Sequence, residues 1–268
     1  MKKENILKEE TNITAQTKQP EDKSNSGRVF SYVPFYDLDN ITLFNNDYRN
    51  VIDSLAPADL IIADPPYGEK QASWDEEKPD EEVWRTFYDK LKDGGVLYYW
   101  GFWGHAEWIL RNARRAGFTE QSRIVWWFAT GRPEKKSYRE DTEDCYYFSK
   151  GEPNYFNPNN YYEPYDKVSN YERYNKNGKH PGTIWRASRI MWNHPENVGH
   201  ETQKPLTLYK KIIDISCPPN GIVYDFFCGS GTTLLAAKQL GRKAVGIEKE
   251  EKYCNIITKR LSQMEMQL

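Results

Sequence analysis

The stretch Gly221-Ile222-Val223-Tyr224-Asp225-Phe226-Phe227-Cys228-Gly229-Ser230-Gly231-Thr232-Thr233 decides the fold. It opens as an apolar strand closed by an acid and turns through Gly-Ser-Gly. It then runs into a helical pattern, Thr232 to Gln239, with Gly241 as its stop. Glycines at such a turn let backbone N–H groups approach a ligand closely, as in nucleotide-binding strand–turn–helix units. A second apolar strand, Lys243 to Ile247, ends in Glu248. A carboxylate in that place suits the two hydroxyls of a ribose. A glycine turn alone is a weak signal; strand, turn, helix, strand and acid in order is a strong one.

A second strand tipped by an acid lies far upstream. Leu60 to Ala63 is apolar and runs into Asp64-Pro65-Pro66-Tyr67-Gly68. The first proline keeps Asp64 out of the α region, so its carboxylate is held extended at the strand end. Neither proline has an N–H, which leaves nearby carbonyls as open acceptors. Acceptors beside a planar ring suit an aromatic amine, although Asp, Pro and Gly are also ordinary turn residues.

Composition narrows the class. The 268 residues carry a net charge of −2, so no partner is held by global charge alone. The four cysteines form no CxxC pair and there are only four histidines, which argues against a zinc site, a disulfide framework or any metal. Neither a signal peptide nor a bilayer-length apolar run is visible, so no membrane partner and a cytoplasmic location are expected.

Taken in order, residues 1–28 are polar and aperiodic and read as a disordered tail. Residues 29–128 alternate strands and helices, which argues a doubly wound α/β sheet. Strands are expected at Ile41–Phe44, Asp59–Ala63, Val96–Trp100 and Ser122–Phe128, with a helix from His105 to Arg115. Between Glu69 and Asp93, nine acidic residues against five basic ones argue against contact with a phosphate backbone.

Residues 129–192 break the pattern, with Asp144–Ser149 as a candidate further strand. Twelve aromatics fall between Tyr146 and Trp192, and cations are interleaved. Arg132, Lys135, Lys136, Arg139, Arg173, Arg186 and Arg189 are the candidates for nucleic-acid contact, because base stacking and phosphate contacts need both residue types. A tyrosine-packed loop with its charges in water has the same composition. Residues 193–268 resume the strand and helix pattern after Thr202-Gln203-Lys204-Pro205.

In these motifs the chain resembles the beta-class, S-adenosylmethionine-dependent DNA amino-methyltransferases. These methylate the N6 of adenine or the N4 of cytosine. Asp64-Pro65-Pro66-Tyr67 matches their catalytic tetrad, and Asp225 to Thr233 their methionine-pocket motif, with Phe226 where proline is usual. The catalytic motif precedes the cofactor motif, as in that class. The resemblance implies a Rossmann-like seven-stranded sheet, circularly permuted, with residues 129–192 as a target-recognition insertion between a catalytic half (29–128) and a cofactor half (193–268). The strand before Asp47 would lie beside the one ending at Glu248, and the strand ending at Asp225 beside the one ending at Asp64.

For the cofactor, S-adenosylmethionine, the resemblance implies contacts from Asp47, Asp64, Gln203, Lys204, Asp225, Phe227, Cys228, Gly229, Ser230, Gly231, Thr232 and Glu248. Asp47 could equally cap the helix after it, and Gln203 and Lys204 could be only a turn leading into a helix. Catalysis would rest on Asp64, Pro65, Pro66 and Tyr67. Aspartate at the first tetrad position points to adenine. The alternatives are an N4-cytosine enzyme and a non-catalytic nucleic-acid-binding partner subunit with the same fold; the intact tetrad and glycine motif argue against the latter. Double-stranded DNA is the implied partner; a homodimer and a restriction endonuclease counterpart are further partners to test, in a prokaryotic, phage or mobile-element setting. Glu196-Asn197-Val198 copies a signature of the cytosine C5 enzymes. Those need a cysteine after a proline for covalent attack on carbon, and no cysteine here follows one.

Overall fold

The computed structural model describes residues 32–69, 75, 78–131, 135–165 and 177–263. The expected tail, Arg132 and Arg173 lie outside the described residues. The elements are β1 Tyr36–Leu38, β2 Ile41–Asn45, α1 Tyr48–Val51, β3 Ala58–Ala63, α2 Glu82–Asp89, β4 Leu91–Gly101, α3 Ala106–Ala116, β5 Thr119–Trp127 and β6 Thr142–Ser149. They continue with β7 Ile184–Arg186, α4 Leu206–Ser216, β8 Ile222–Asp225, α5 Thr232–Gln239, β9 Lys243–Glu248 and α6 Glu251–Ser262.

One sheet holds every described strand, in the order β1-β2-β9-β8-β3-β4-β6-β5-β7. The run from β2 to β5 in that order is the Rossmann-like sheet of seven strands. β1 and β7, three residues each, extend its two edges. The last two strands of the chain sit between β2 and β3, which is the circular permutation. β2 pairs with β9, β9 with β8, β8 with β3, and β3 with β4, all parallel; β6 runs antiparallel between β4 and β5.

Parallel strands covered on both faces read as continuous apolar runs, as β3 does. Successive side chains point to opposite faces, so the runs feed two cores. Leu60, Ile62, Val96, Tyr98 and Trp100 pack against α4, α5 and α6 through Leu208, Ile212, Leu234 and Ile257. Ile61, Ala63, Leu97 and Tyr99 pack against α2 and α3 through Trp84, Phe87, Ile109 and Ala113.

Local chemistry sets most boundaries. α3 stops at Gly117, whose φ of +106° continues the chain in the left-handed cap that favours glycine. At β4 the strand begins earlier than the Asp93-Gly94-Gly95 turn suggests. Leu91 already pairs with Ala58, and the register slips before Val96 meets Leu60. Tertiary bonds hold the two glycines in this irregular stretch. Gly94 N–H donates to the Lys150 carbonyl at 2.7 Å, and Lys150 N–H to that of Gly95 at 2.9 Å.

Within residues 129–192, β6 and β7 belong to the sheet, and the described residues 150–165 and 177–183 between them form no helix and no named strand. Several of the aromatics counted there are core: Tyr146, Tyr147, Phe148 and Trp185 are buried, whereas Trp192 is 86% exposed.

Candidate active site

The register of the parallel strands brings their carboxyl ends to one place. Asn45 faces Glu248, Asp225 faces Gly246, and Ile61 faces Tyr224. Asp47, Asp64, Asp225 and Glu248 therefore line one cavity of about 500 Å³. Crevices at such strand ends are where open α/β sheets bind ligands.

The glycine turn forms one wall. Gly229 and Gly231 have φ of +48° and +74°, both left-handed. A Cβ on Gly231 would lie 2.7 Å from Cγ1 of Ile257 on α6, so packing demands this glycine whatever ligand is bound. Glu248 clamps the turn: Oε2 accepts from Gly229 N–H at 2.7 Å and Oε1 from Glu250 N–H at 2.8 Å. Burial raises its pKa. Asp225 accepts from Thr233 Oγ1 at 2.5 Å and Phe227 N–H at 2.9 Å, and burial pushes its pKa up to about 7. The Ser230 and Thr232 hydroxyls bond each other at 3.0 Å.

Other expected residues are spent differently. Asp47 caps α1 through Arg49 N–H at 3.0 Å and pairs with the Arg49 guanidinium at 3.0 Å, while still lining the cavity. Phe227 lines it too, edge-on to Tyr48 at 5.5 Å. Gln203 and Cys228 also line the cavity, with their side-chain tips engaged elsewhere. The Cys228 sulfur is a core atom: a Cβ on Gly246 would lie 2.5 Å from it. The Gln203 amide holds a loop, accepting from Val198 N–H at 3.0 Å and donating to the Glu196 carbonyl at 2.6 Å. Glu196 in turn accepts from Leu206 N–H at 2.9 Å at the start of α4. The Glu196-Asn197-Val198 stretch is thus a brace for the segment that carries Lys204.

The tetrad sits at the other wall. The Lys204 ammonium, 5% exposed, lies 2.8 and 2.7 Å from the two Asp64 oxygens and 2.8 Å from Glu143 Oε1. It lies over the rings of Trp100 and Tyr67 at 5.1 and 5.6 Å. The Tyr67 hydroxyl has one proton to share between Asp64 Oδ1 at 2.9 Å and Glu143 Oε1 at 2.7 Å. Tyr209 on α4 reaches Asp64 at 3.4 Å. Burial raises the Asp64 pKa against the pull of Lys204. For Lys204, burial lowers the pKa but the two carboxylates raise it further, so the ammonium stays charged. Asp75 fixes the exit of the tetrad, accepting from Tyr67 and Gly68 N–H at 2.6 and 2.8 Å.

The arrangement suits a charged nucleoside bearing an amino acid: acids for an ammonium, a diol and an exocyclic amine, a backbone turn, and a cavity of cofactor size. Residues 58–259 match the N6/N4 methyltransferase family described as DNA methylase. The chain belongs to this family. The type II methyltransferase M1.MboII of Moraxella bovis is 30% identical over 236 residues, covering 77% of this chain and 90% of that protein. The DNA adenine methyltransferase YhdJ of Escherichia coli K12 is 32% identical over 250 residues, covering 82% and 85%. The crystal structure of the M1.HpyAVI–SAM complex aligns with a TM-score of 0.63 at 28% identity, over 82% of this chain and 98% of that one. The protein is an S-adenosylmethionine-dependent amino-methyltransferase of DNA.

Of the DNA-contact candidates that are described in this methyltransferase, Lys135, Lys136, Arg139, Arg186 and Arg189 are all exposed. Arg139 pairs with Asp141 at 3.1 Å. Arg186 stacks over Trp127 at 5.2 Å and Arg189 over Phe128 at 4.1 Å, which presents two guanidinium–ring pairs beside β5.

Four further residues carried no readable signal in the sequence. Glu143 sits at the start of β6 among other charges. Asp75 lies in an acidic run. Arg260, 7% exposed on α6, donates to the Ser230 carbonyl at 3.1 Å and to Thr232 Oγ1 at 3.0 Å. His200 lines the cavity with its ring 4.6 Å from Tyr253, and burial pulls its pKa down to about 4, so it is neutral. Among the described residues no His, Cys, Asp and Glu cluster could hold a metal ion, and no helix is long and apolar enough to cross a membrane.

Proposed function

We propose that the protein is a site-specific adenine-N6 methyltransferase of duplex DNA. The observation that carries the reading is Asp64 at the head of its tetrad, in a wall shared with the cavity that suits the cofactor. Aspartate in that place is commoner among adenine enzymes, and YhdJ is by name a DNA adenine methyltransferase.

A base inside a duplex is out of reach, so the target is extruded from the stack. Its amine is a poor nucleophile because the lone pair is delocalised into the ring. Asp64 and the Pro65 carbonyl accept from the two N–H bonds, which localises the lone pair and stabilises positive charge as it forms; the methylated amine, now strongly acidic, then releases one of these protons to water. The Tyr67 ring, fixed through its hydroxyl to Asp64 and Glu143, is the stacking surface for the extruded base. Bound S-adenosylmethionine supplies an electrophilic sulfonium methyl. Asp225 would hold its ammonium group and Glu248 its ribose hydroxyls, and Asp47 and Phe227 would border its adenine. The Gly229-Ser230-Gly231 turn, with Thr232 and Lys204, would hold the methionine part.

Arg186 and Arg189, with Lys135, Lys136 and Arg139, contact the DNA backbone. Cations and rings side by side suit phosphate and base contact. The relative M1.MboII is by name a type II methyltransferase, which supports reading this chain as half of a restriction–modification pair with an endonuclease counterpart. The test is modification-aware sequencing of DNA from cells expressing the chain, with nucleoside analysis. N6-methyladenine within one recurring motif is expected; N4-methylcytosine, or no modified base, overturns the reading.

A further inference from the structure

The cluster under the tetrad carries an uneven charge. Asp64 and Glu143 are two carboxylates and Lys204 one ammonium, and Lys204 bonds both at 2.7 to 2.8 Å. We propose that Glu143 is a positioning residue for methyl transfer: it holds the Lys204 ammonium, so that Asp64 meets the target amine with one negative charge in excess. This rests on the reading that Asp64 accepts from that amine.

The argument is one of charge and of bonding capacity. Methyl transfer places one positive charge on the amine. A lone Asp64–Lys204 pair is neutral and offers that charge only the weaker field of a dipole. With Glu143 the cluster is net −1, and in a water-poor site such fixed charge acts strongly. Lys204 is needed as well, because two carboxylates sharing one site do not both stay ionised without a cation between them. Glu143 also supplies an alternative acceptor. When the amine claims the oxygens of Asp64, the Tyr67 hydroxyl keeps Glu143 Oε1 at 2.7 Å and Lys204 keeps it at 2.8 Å, so neither buried donor is stranded.

The polar and titratable groups facing Asp64 come from several elements. Lys204 and Tyr209 lie before and on α4, Glu143 and the buried Cys145 on β6, Tyr67 in the tetrad, Tyr99 on β4, and Asp225 at the end of β8. Lys204 is the cation in hydrogen-bond contact with Asp64 among the described residues.

The test is Glu143→Gln, which keeps shape and removes charge. Single-turnover transfer to duplex DNA falls about 100-fold, the loss typical of one preorganised electrostatic group. Cofactor affinity by calorimetry stays within about threefold of the parent's, since the change is confined to the amine side of the site. A Glu143→Gln rate within about threefold of the parent's overturns the proposal.

Glu143→Asp keeps the charge and covers the case in which Gln prevents folding. It retains more than about a tenth of the parent rate, and a loss of about 100-fold there also overturns the proposal. A readout without turnover is the ¹³C NMR titration of the Asp64 carboxyl. Removing a neighbouring negative charge lowers its midpoint in Glu143→Gln, and an unmoved midpoint overturns the proposal. A parent that transfers nothing to DNA overturns the proposed function instead, and the titration still decides the role of Glu143.

Discussion

The ammonium of Lys204 lies 2.8 and 2.7 Å from the two carboxylate oxygens of Asp64, across 140 residues of chain. The residue at the head of the tetrad is therefore tied to the segment that leads into α4, and the two walls of the site are joined by an ion pair.

Asp64→Ala removes the acceptor of the amine. Methyl transfer falls by at least about 1,000-fold, while cofactor affinity changes only a few-fold. Losing one partner of a buried pair costs about 3 kcal/mol or more when the other is stranded. Glu143 still holds Lys204 at 2.8 Å, so the loss in urea denaturation is smaller than that. Undiminished turnover contradicts the assignment.

Gly231→Val fails for a reason internal to the fold. Its φ is +74° and the new Cβ would sit 2.7 Å from Ile257 Cγ1. Left-handed strain and overpacking together cost about 2–4 kcal/mol. The loss is seen in denaturation without cofactor; a variant as stable as the parent that merely binds cofactor poorly contradicts this account.

Asp225 has a folded-state pKa near 7, raised by burial from an ordinary 3.8. Between those two values the folded state keeps a proton that the unfolded state has lost. Its stabilising contribution is therefore complete below about pH 4 and gone above about pH 7. The stability of the parent, measured against Asp225→Asn by urea denaturation, declines through that window and levels off above it. Parallel curves for the two proteins exclude the shift.

Glu196→Ala removes the acceptor of Leu206 N–H at the start of α4 and loosens the loop that Gln203 holds. Loss of such a cap costs about 1 kcal/mol. Because Lys204 lies between Gln203 and α4, the transfer rate drops as well, while DNA affinity stays unchanged.

Arg186→Ala and Arg189→Ala remove guanidinium groups stacked on Trp127 and Phe128. Each weakens DNA binding and reduces the slope of log affinity against log salt by about 1. Cofactor affinity by calorimetry is unaffected. An unchanged salt slope removes that residue from the DNA-contact surface.

Much of the fold was legible in the chain because its signals are local. β3 reads as one apolar run because both of its faces are covered, and α5 falls on the expected Thr232–Gln239 because a glycine turn precedes it. The order of the two motifs carried the permutation. The irregular start of β4 was not legible, because contacts from the end of β6 hold its glycines. The aromatic density after residue 145 misled in part, because a buried strand and a stacking loop have the same composition.

The sequence alone determined the strand ends, their acids and the glycine turn, since each depends on neighbours a few residues away. It could not say what each acid would touch. Glu143 looks like any charge at a strand start, Asp75 like any acid in a run, and Arg260 like any cation on a helix. Only the tertiary structure decided that Glu143, Lys204, Tyr67 and Asp64 share one set of hydrogen bonds. The physical reason is burial: a charge taken from water needs partners, and sheet order, not sequence distance, chooses them.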